Sequence, residues 1–322
     1  MIVVYKEGGE YSDCIVKHFG LDRYDDGAED AVFFWGWDAL MDPELREKYK
    51  DIPHRLTFNT SAPCDLLGHD PRYVGANTIT NQEYFTEVFT ICPYTANWAN
   101  TVSSTLHTPI CFPFPANKFE KFKETTPDQK LHDVIYYGQF HDSAYEKMLT
   151  TMTQFDYKFS TISTHGLTRE MAKLGTHYAL TSEQKWDLLN KCKISVGFNL
   201  LFLNRSHLHT LSSFPNIETF EKLKMINKDY VMPQMKTRMV EAAACKTLML
   251  ICRDGFSVIE NWFEPNKHFI YWDTYQDLHD KIEDITNNYE KYWPIVEAAH
   301  EHVQQYSIEN FMEKLNERLL EK

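Results

Sequence analysis

The sequence predicts an α/β protein built from two successive parallel-sheet units. Three observations carry this. Short, near-continuous apolar runs alternate with helical stretches through the first 115 residues, as strands covered by helices on both faces do. The same alternation restarts near residue 131, after the polar stretch ANKFEKFKETTPDQK at 116–130. At 322 residues, 43% hydrophobic and 25% charged, the chain can bury the cores of two medium domains, each about 100–200 residues long.

In order, IVVY at 2–5 is a buried strand followed by Gly8 and Gly9. Two glycines directly after a first strand let backbone approach a ligand closely, although the GxGxxG dinucleotide fingerprint is absent. Tyr11–Phe19 has helical spacing, and AVFFW at 31–35 and HRLTFN at 54–59 are the next strands, the latter broken by Thr60–Pro63. Thr80 and Glu83 cap a short helix, and EVFTIC at 87–92 is a fourth strand. A loop and a helix begin at Pro93, and a proline-rich strand, PICFPFP, follows at 109–115. In the second half DVIYYG at 133–138, YKFSTI at 157–162 and KISVGF at 193–198 are strands. Thr181 and Gln184 form a capping box for the helix SEQKWDLLNKC. Residues 199–230 give no clear pattern. The tail from 275 is helical and interrupted at Pro294, and Ile308, Phe311, Met312, Leu315 and Leu319 line one face of its last helix.

Residues 231–272 organise the second half. Arg238 and Glu241, three apart, share a helical face ahead of the small run AAAC, which suits close packing on a sheet. TLMLIC is then a strand buried on both faces, Arg253-Asp254-Gly255 turns the chain, and Ser257 with Glu260 reads as a second capping box. Glu264-Pro265-Asn266 ends that turn before HFIYW.

Arg238, Glu241, Ala244-Cys245, Phe263 and Glu264, in that order, resemble the nucleotide-sugar half of GT-B-fold glycosyltransferases, in particular the "glycosyl transferases group 1" branch that includes CgeB-like proteins. The glycine usual after the cysteine is Lys246 here. The resemblance implies two Rossmann-like domains facing a cleft: an acceptor-side domain at 1–116, a linker at 117–130, a nucleotide-sugar domain at 131–300, and a C-terminal helix at 301–322 crossing back to the first domain. It places Gly138 and Gln139 beside the donor pyrophosphate. Many retaining members carry a further glutamate eight positions before the ribose-binding one. Pro233 stands there, which leaves inversion or retention open.

Transfer from a sugar nucleotide needs donors for the departing diphosphate and a carboxylate for the ribose diol. Arg238 and Glu241 supply both types on one face, although an Arg–Glu pair of this spacing also occurs as a plain surface ion pair. The expected donor-binding set is Gly8, Gly9, Gly138, Gln139, Arg238, Glu241 and Glu264, and the candidate bases are Glu10, Asp13 and His18. Glycines that end strands and a histidine on an apolar face also have ordinary structural roles. The Trp35-Gly36-Trp37 and Tyr94–Trp98 segments offer flat rings to a carbohydrate acceptor, while Trp35 and Trp37 equally serve as core anchors at a strand end.

The net charge of −13 argues against wrapping nucleic acid. Seven cysteines without a CxxC pattern suit reduced core thiols and a cytoplasmic protein, and neither a signal peptide nor a membrane span is expected. HExxH, a strand-end DxD and the P-loop signature are all missing, so no metal and no other cofactor is expected. The function implied is metal-independent transfer of a hexose or deoxyhexose from a nucleotide-diphosphate sugar to a carbohydrate or glycoconjugate acceptor. Two alternatives stay open: transfer to a modified DNA base, and a catalytically degenerate GT-B scaffold.

Overall fold

The computed structural model describes residues 2–5, 30–35, 42–60, 62–66, 79, 81–138, 143–161, 177–178, 180–203, 224–226 and 229–320. The chain divides into two compact units. Met1–Pro115, Leu203–Met235 and Tyr306–Lys322 form the first, and Ala116–Phe202 with Lys236–Gln305 form the second.

In the first unit, β1 (Ile2–Tyr5), β2 (Ala31–Trp35), β3 (His54–Asn59), β4 (Glu87–Thr90) and β5 (Leu106–Pro109) form a parallel sheet in sequential order. The apolar run of β2 feeds two cores, because successive side chains point to opposite faces. Val32 and Phe34 pack with Tyr49, Phe85 and Val88 beside helix α1 (Pro43–Lys48). Phe33 instead joins Leu56 and Phe89 beneath the last helix of the chain. Helix α2 (Pro93–Val102) starts with proline at its first position, where no backbone donor is needed. It buries Trp98 against Leu66, Ile79 and Ala99, so the Tyr94–Trp98 segment is helix and Trp98 is core.

Helix α3 (Ala116–Phe122) opens the second unit, so the polar stretch read as a linker carries regular structure and groups with that unit. Next come β6 (His132–Tyr137), α4 (Ser143–Met152), β7 (Tyr157–Thr161), β8 (His177–Tyr178), α5 (Ser182–Asn190), β9 (Cys192–Gly197) and β10 (Leu200–Phe202). Strands β11 (Lys224–Ile226) and β12 (Asp229–Pro233), which begin within the stretch without a clear pattern in the sequence, pair antiparallel and group with the first unit. The second unit resumes with α6 (Arg238–Ala244), β13 (Leu248–Cys252), β14 (Ile270–Trp272), α7 (Tyr275–Asn287) and α8 (Tyr289–Val303), and α9 (Ile308–Leu320) returns to the first. Thr181 starts α5 as expected: its hydroxyl accepts from the Gln184 N–H, and the Gln184 side chain accepts from the Thr181 N–H. The break in the tail falls at Asn288, and Pro294 stays inside α8.

The second sheet runs β14-β13-β9-β6-β7-β8, with parallel pairing between neighbours. Strands β6 to β8 therefore extend one way from β6, and β9, β13 and β14 the other. The direction of winding reverses between β6 and β9. In open α/β sheets the carboxyl ends of the strands at such a reversal form the ligand crevice.

Helix α6 ends in a Schellman motif: the Thr247 N–H bonds the Ala242 carbonyl and the Lys246 N–H bonds that of Ala243. The motif needs a left-handed residue, and Lys246 supplies it at φ 50°. This explains the departure from glycine. The cost of roughly 1–2 kcal/mol for a left-handed side chain is offset by what the lysine does next. Its ammonium donates to the carbonyls of Lys123 (2.5 Å) and Thr125 (3.3 Å) and lies 5.5 Å from the Trp293 ring centre.

Lys130 is also buried, and donates to the carbonyls of Asn190 and Lys246, both at 2.5 Å, at the carboxyl ends of α5 and α6. Burial pushes its ammonium from 10.5 down to about 7. The unfolded chain then holds a proton that the folded chain releases between about pH 7 and 10.5, so stability rises with pH across that window and falls as pH drops through it. Lys130→Met is expected to remove this slope, at most about 1.4 kcal/mol per pH unit. Thermal melts of both proteins from about pH 6 to 10 read it directly. Parallel pH profiles would disprove the assignment.

Candidate functional site

The site is built where the winding of the second sheet reverses. Gly138, directly after β6, has φ 131°, a backbone region closed to other residues without strain. A Cβ placed there would meet Nη2 of Arg238 at 2.8 Å, Cζ at 3.0 Å and Nη1 at 3.2 Å, so the guanidinium lies flat on the glycine. Gly197, the last residue of β9, is less constrained: a Cβ there would meet Met239 Cε at 3.2 Å and the Arg238 Cδ only at an ordinary 3.7 Å.

Arg238 is 9% exposed. Its guanidinium stacks 5.0 Å from the buried Tyr136 ring, and the Tyr137 hydroxyl donates to its backbone carbonyl. No carboxylate pairs with it, and Nη1 is buried without a hydrogen-bond partner among the described residues. A buried, unpaired N–H of a cation is costly and needs an acceptor. The carboxyl ends of parallel strands are where open α/β sheets bind ligands, and an anionic group suits a guanidinium as acceptor.

Glu241, one turn further along α6, is 4% exposed. Its Oε1 accepts from Lys185 Nζ at 2.5 Å and from Trp186 Nε1 at 3.1 Å. Oε2 carries no hydrogen bond from the described residues. The Arg238–Glu241 pair is thus not a surface ion pair: the two groups are buried on one helix and each has its own surroundings. Asn199, just past β9, is fully buried. Its Oδ1 accepts from the Lys236 N–H at 3.2 Å, while Nδ2 has no partner among the described residues.

Of the residues selected from sequence, the structure brings Gly138 and Arg238 into contact and sets Glu241 a turn beyond. The Glu264 carboxylate is exposed, pairs with Lys267 at 2.8 Å, and is held below the usual carboxylate range by that hydrogen bond. Ser257 does not cap a helix. It sits at φ 51° without a side-chain cap bond: the Glu260 N–H bonds the Ser257 carbonyl at 3.0 Å, Asp254 Oδ1 accepts the Ser257 N–H at 2.7 Å, and the Glu260 carboxylate accepts from the Tyr271 hydroxyl. Gly8, Gly9, Glu10, Asp13, His18 and Gln139 lie outside the described residues, as do Gly36 and Trp37 and the side chain of Trp35. Lys185, Trp186 and Asn199 were not selected from sequence. Among the described residues no three His, Cys, Asp or Glu side chains group as a metal site, the five cysteines whose side chains are described are buried thiols, and no helix is long and apolar enough to cross a membrane.

Comparison with solved structures finds the same architecture. HepE of Anabaena, solved with UDP and glucose, is 12% identical, with 97% of this chain and 81% of that chain aligned at a TM-score of 0.57. A glycosyltransferase from Rickettsia africae is 11% identical over 99% of this chain and 89% of that one, at 0.54. Sucrose-phosphate synthase of Thermosynechococcus elongatus is 11% identical over 96% and 76%, at 0.53. At these identities the likeness establishes the fold, which is GT-B: two Rossmann-like units, with the C-terminal helix returning to the first. No curated protein matches the chain. A family model described as "Glycosyl transferase-like" matches residues 154–317, just over half of the sequence and including Lys185, Arg238 and Glu241. The chain belongs to this glycosyl transferase-like family.

Proposed function

We propose that the protein is a glycosyltransferase that binds the nucleoside diphosphate of a sugar donor at the Gly138–Arg238–Glu241 site. The observation that carries this reading is the Arg238 guanidinium, buried on Gly138 with Nη1 unpaired. In the proposed reaction an acceptor hydroxyl oxygen bonds to the anomeric carbon as the bond from that carbon to the β-phosphate oxygen breaks. The departing diphosphate gains negative charge, which Arg238 meets, and the hydroxyl proton leaves to a base. Glu241 accepts the ribose hydroxyls. Relatives of the same fold solved with UDP and with UDP-glucose support a nucleotide donor of this class.

Glu10, Asp13 and His18 are kept as the proposed acceptor-side bases on residue type alone, and Gly8, Gly9 and Gln139 as proposed donor contacts. Glu264 is left out, since its charge is exposed and matched by Lys267. Buried thiols and a net charge of −13 support a cytoplasmic enzyme with a carbohydrate-type acceptor over one acting on DNA.

Glu241→Gln tests the reading. Glutamine keeps an oxygen for Lys185 and Trp186 but loses the charge offered to ribose. Affinity for the tightest of UDP, GDP and ADP in calorimetric titration is expected to fall roughly tenfold to a hundredfold, with the fold retained. Wild-type protein that binds none of the three refutes the donor site.

A further inference from the structure

Glu241 is held by two neighbours on α5 that nothing in the Arg238–Glu241 motif announces. Lys185 and Trp186 both donate to the same oxygen, Oε1. A carboxylate oxygen has two good acceptor directions, so two donors fill it. They also fix the rotation of the carboxylate about its terminal bond, a torsion that is otherwise broad. Among the described residues Oε2 is left with both of its lone pairs.

The two donors are themselves placed. The capping box at Thr181 sets the start of α5, so residues 185 and 186 fall in its first turns. The Trp186 ring is fully buried, with Lys118 Nζ of α3 5.2 Å and Lys185 Nζ 5.7 Å from its centre. Lys118 and Lys121 of α3 pair with Glu183, and Lys121 also pairs with Asp187, which ties α3 to α5 on either side of the tryptophan. Lys185 Nζ further lies 5.7 Å from the ring of Tyr137, whose hydroxyl bonds the Arg238 carbonyl. One ammonium thus touches the supports of both site residues.

We propose that Lys185 and Trp186 are positioning residues for nucleotide recognition. By occupying Oε1 they orient Glu241 so that Oε2 alone reads the ribose hydroxyls, and Lys185 compensates the buried charge while it does so. This rests on the donor-site reading above and extends it: selectivity for ribose over 2′-deoxyribose is set from α5, through Glu241.

The test is calorimetric titration of wild type, Lys185→Met, Lys185→Arg and Trp186→Phe with UDP, GDP and ADP, then with the 2′-deoxy form of whichever binds tightest. Wild type is expected to prefer the ribose form. Lys185→Met should lose about tenfold in affinity for it, in the range of one charge-assisted hydrogen bond, and lose most of the preference over the 2′-deoxy form. Lys185→Arg, which keeps a charged donor, should restore the preference. In steady-state assays the Lys185→Met defect should fall on the donor KM and leave kcat nearly unchanged, since the contact exists before the bond breaks. Trp186→Phe removes only the Nε1–H donor and carries the test if Lys185→Met does not fold. It should weaken the preference by less than Lys185→Met. A wild-type preference retained in both Lys185→Met and Trp186→Phe overturns the inference and leaves the donor site standing. A wild type that binds nucleotide without preferring ribose also overturns it. A wild type that binds none of the three diphosphates overturns the donor-site reading, and this inference with it.

Discussion

Gly138→Ala is expected to abolish measurable nucleoside diphosphate binding while leaving most of the second unit folded. Two independent effects act at this one position. The backbone sits at φ 131°, where a Cβ costs about 1–3 kcal/mol. That methyl would also stand 2.8 Å from Nη2 and 3.0 Å from Cζ of Arg238. The guanidinium also stacks on the Tyr136 ring, so moving aside costs that contact. The variant therefore removes the anion donor from its place without changing the arginine itself. Affinity should drop by about a hundredfold or more, since the charge-assisted contact of the guanidinium to phosphate is lost and the backbone beside it is strained. Calorimetric titration beside a thermal melt separates the outcomes: binding at wild-type strength would remove Arg238 from the site. Gly197→Ala is the milder comparison, because its Cβ would meet the flexible Met239 Cε at 3.2 Å and only the Arg238 stem beyond it.

The second large effect is expected far from this site, in the first unit. Met312 is fully buried in the cluster with Phe33, Leu56, Phe89, Ile308 and Leu315. Met312→Ala is expected to cost about 2–5 kcal/mol, the transfer of the lost side chain plus the cavity left behind. Two features limit relaxation of that cavity. Arg318 holds the end of α9 to Glu87 on β4, and the chain bridges to Phe114 on both sides of Ser307. Denaturant titration should show the loss as a lower midpoint, whereas Lys314→Ala on the exposed face should stay within about 0.5 kcal/mol of wild type. Equal effects at the two positions would mean that α9 does not cover the sheet.

Most strands of both sheets were legible in the sequence because a parallel strand buried on two faces writes itself as a continuous apolar run. LMLIC at 248–252 and the strand in DVIYYG are of this kind. Strand β5, which ends at Pro109 where a strand over 109–115 was expected, and the two-residue β8 were not legible. Gly138, Arg238 and Glu241 were legible as a motif, since glycine at a strand end and an Arg–Glu pair before small residues are local features. The support for Glu241 was not. Lys185 lies 56 residues away, and in SEQKWDLLN it looks like one more solvated helix charge. Only the sheet order brings α5 against α6. Asn199 was hidden for the same reason: nothing adjacent to it in sequence marks an asparagine whose partner is the backbone of residue 236. The capping box at Ser257 failed differently. Its spacing was right, but Asp254 already accepts the Ser257 N–H, the Glu260 N–H goes to the Ser257 carbonyl, and the Glu260 carboxylate accepts from the Tyr271 hydroxyl instead. The aromatic reading of Tyr94–Trp98 failed because flat rings suit a core as well as a sugar, and Trp98 faces the core.

The return of α9 to the first sheet bears on how the chain emerges from the ribosome. Phe33, Leu56 and Phe89 are made early, but the residues that cover them are Ile308, Met312 and Leu315. Until residues 308–315 have been made, the nascent chain carries this apolar face without its lid. The second unit draws only on residues 116–305 and is complete before the lid is made, so it is able to close first, against the usual amino-to-carboxyl order of domain folding. A stalled or prematurely terminated chain would then present a finished second unit beside an open, adhesive first sheet, the kind of surface that chaperones hold and proteases clear.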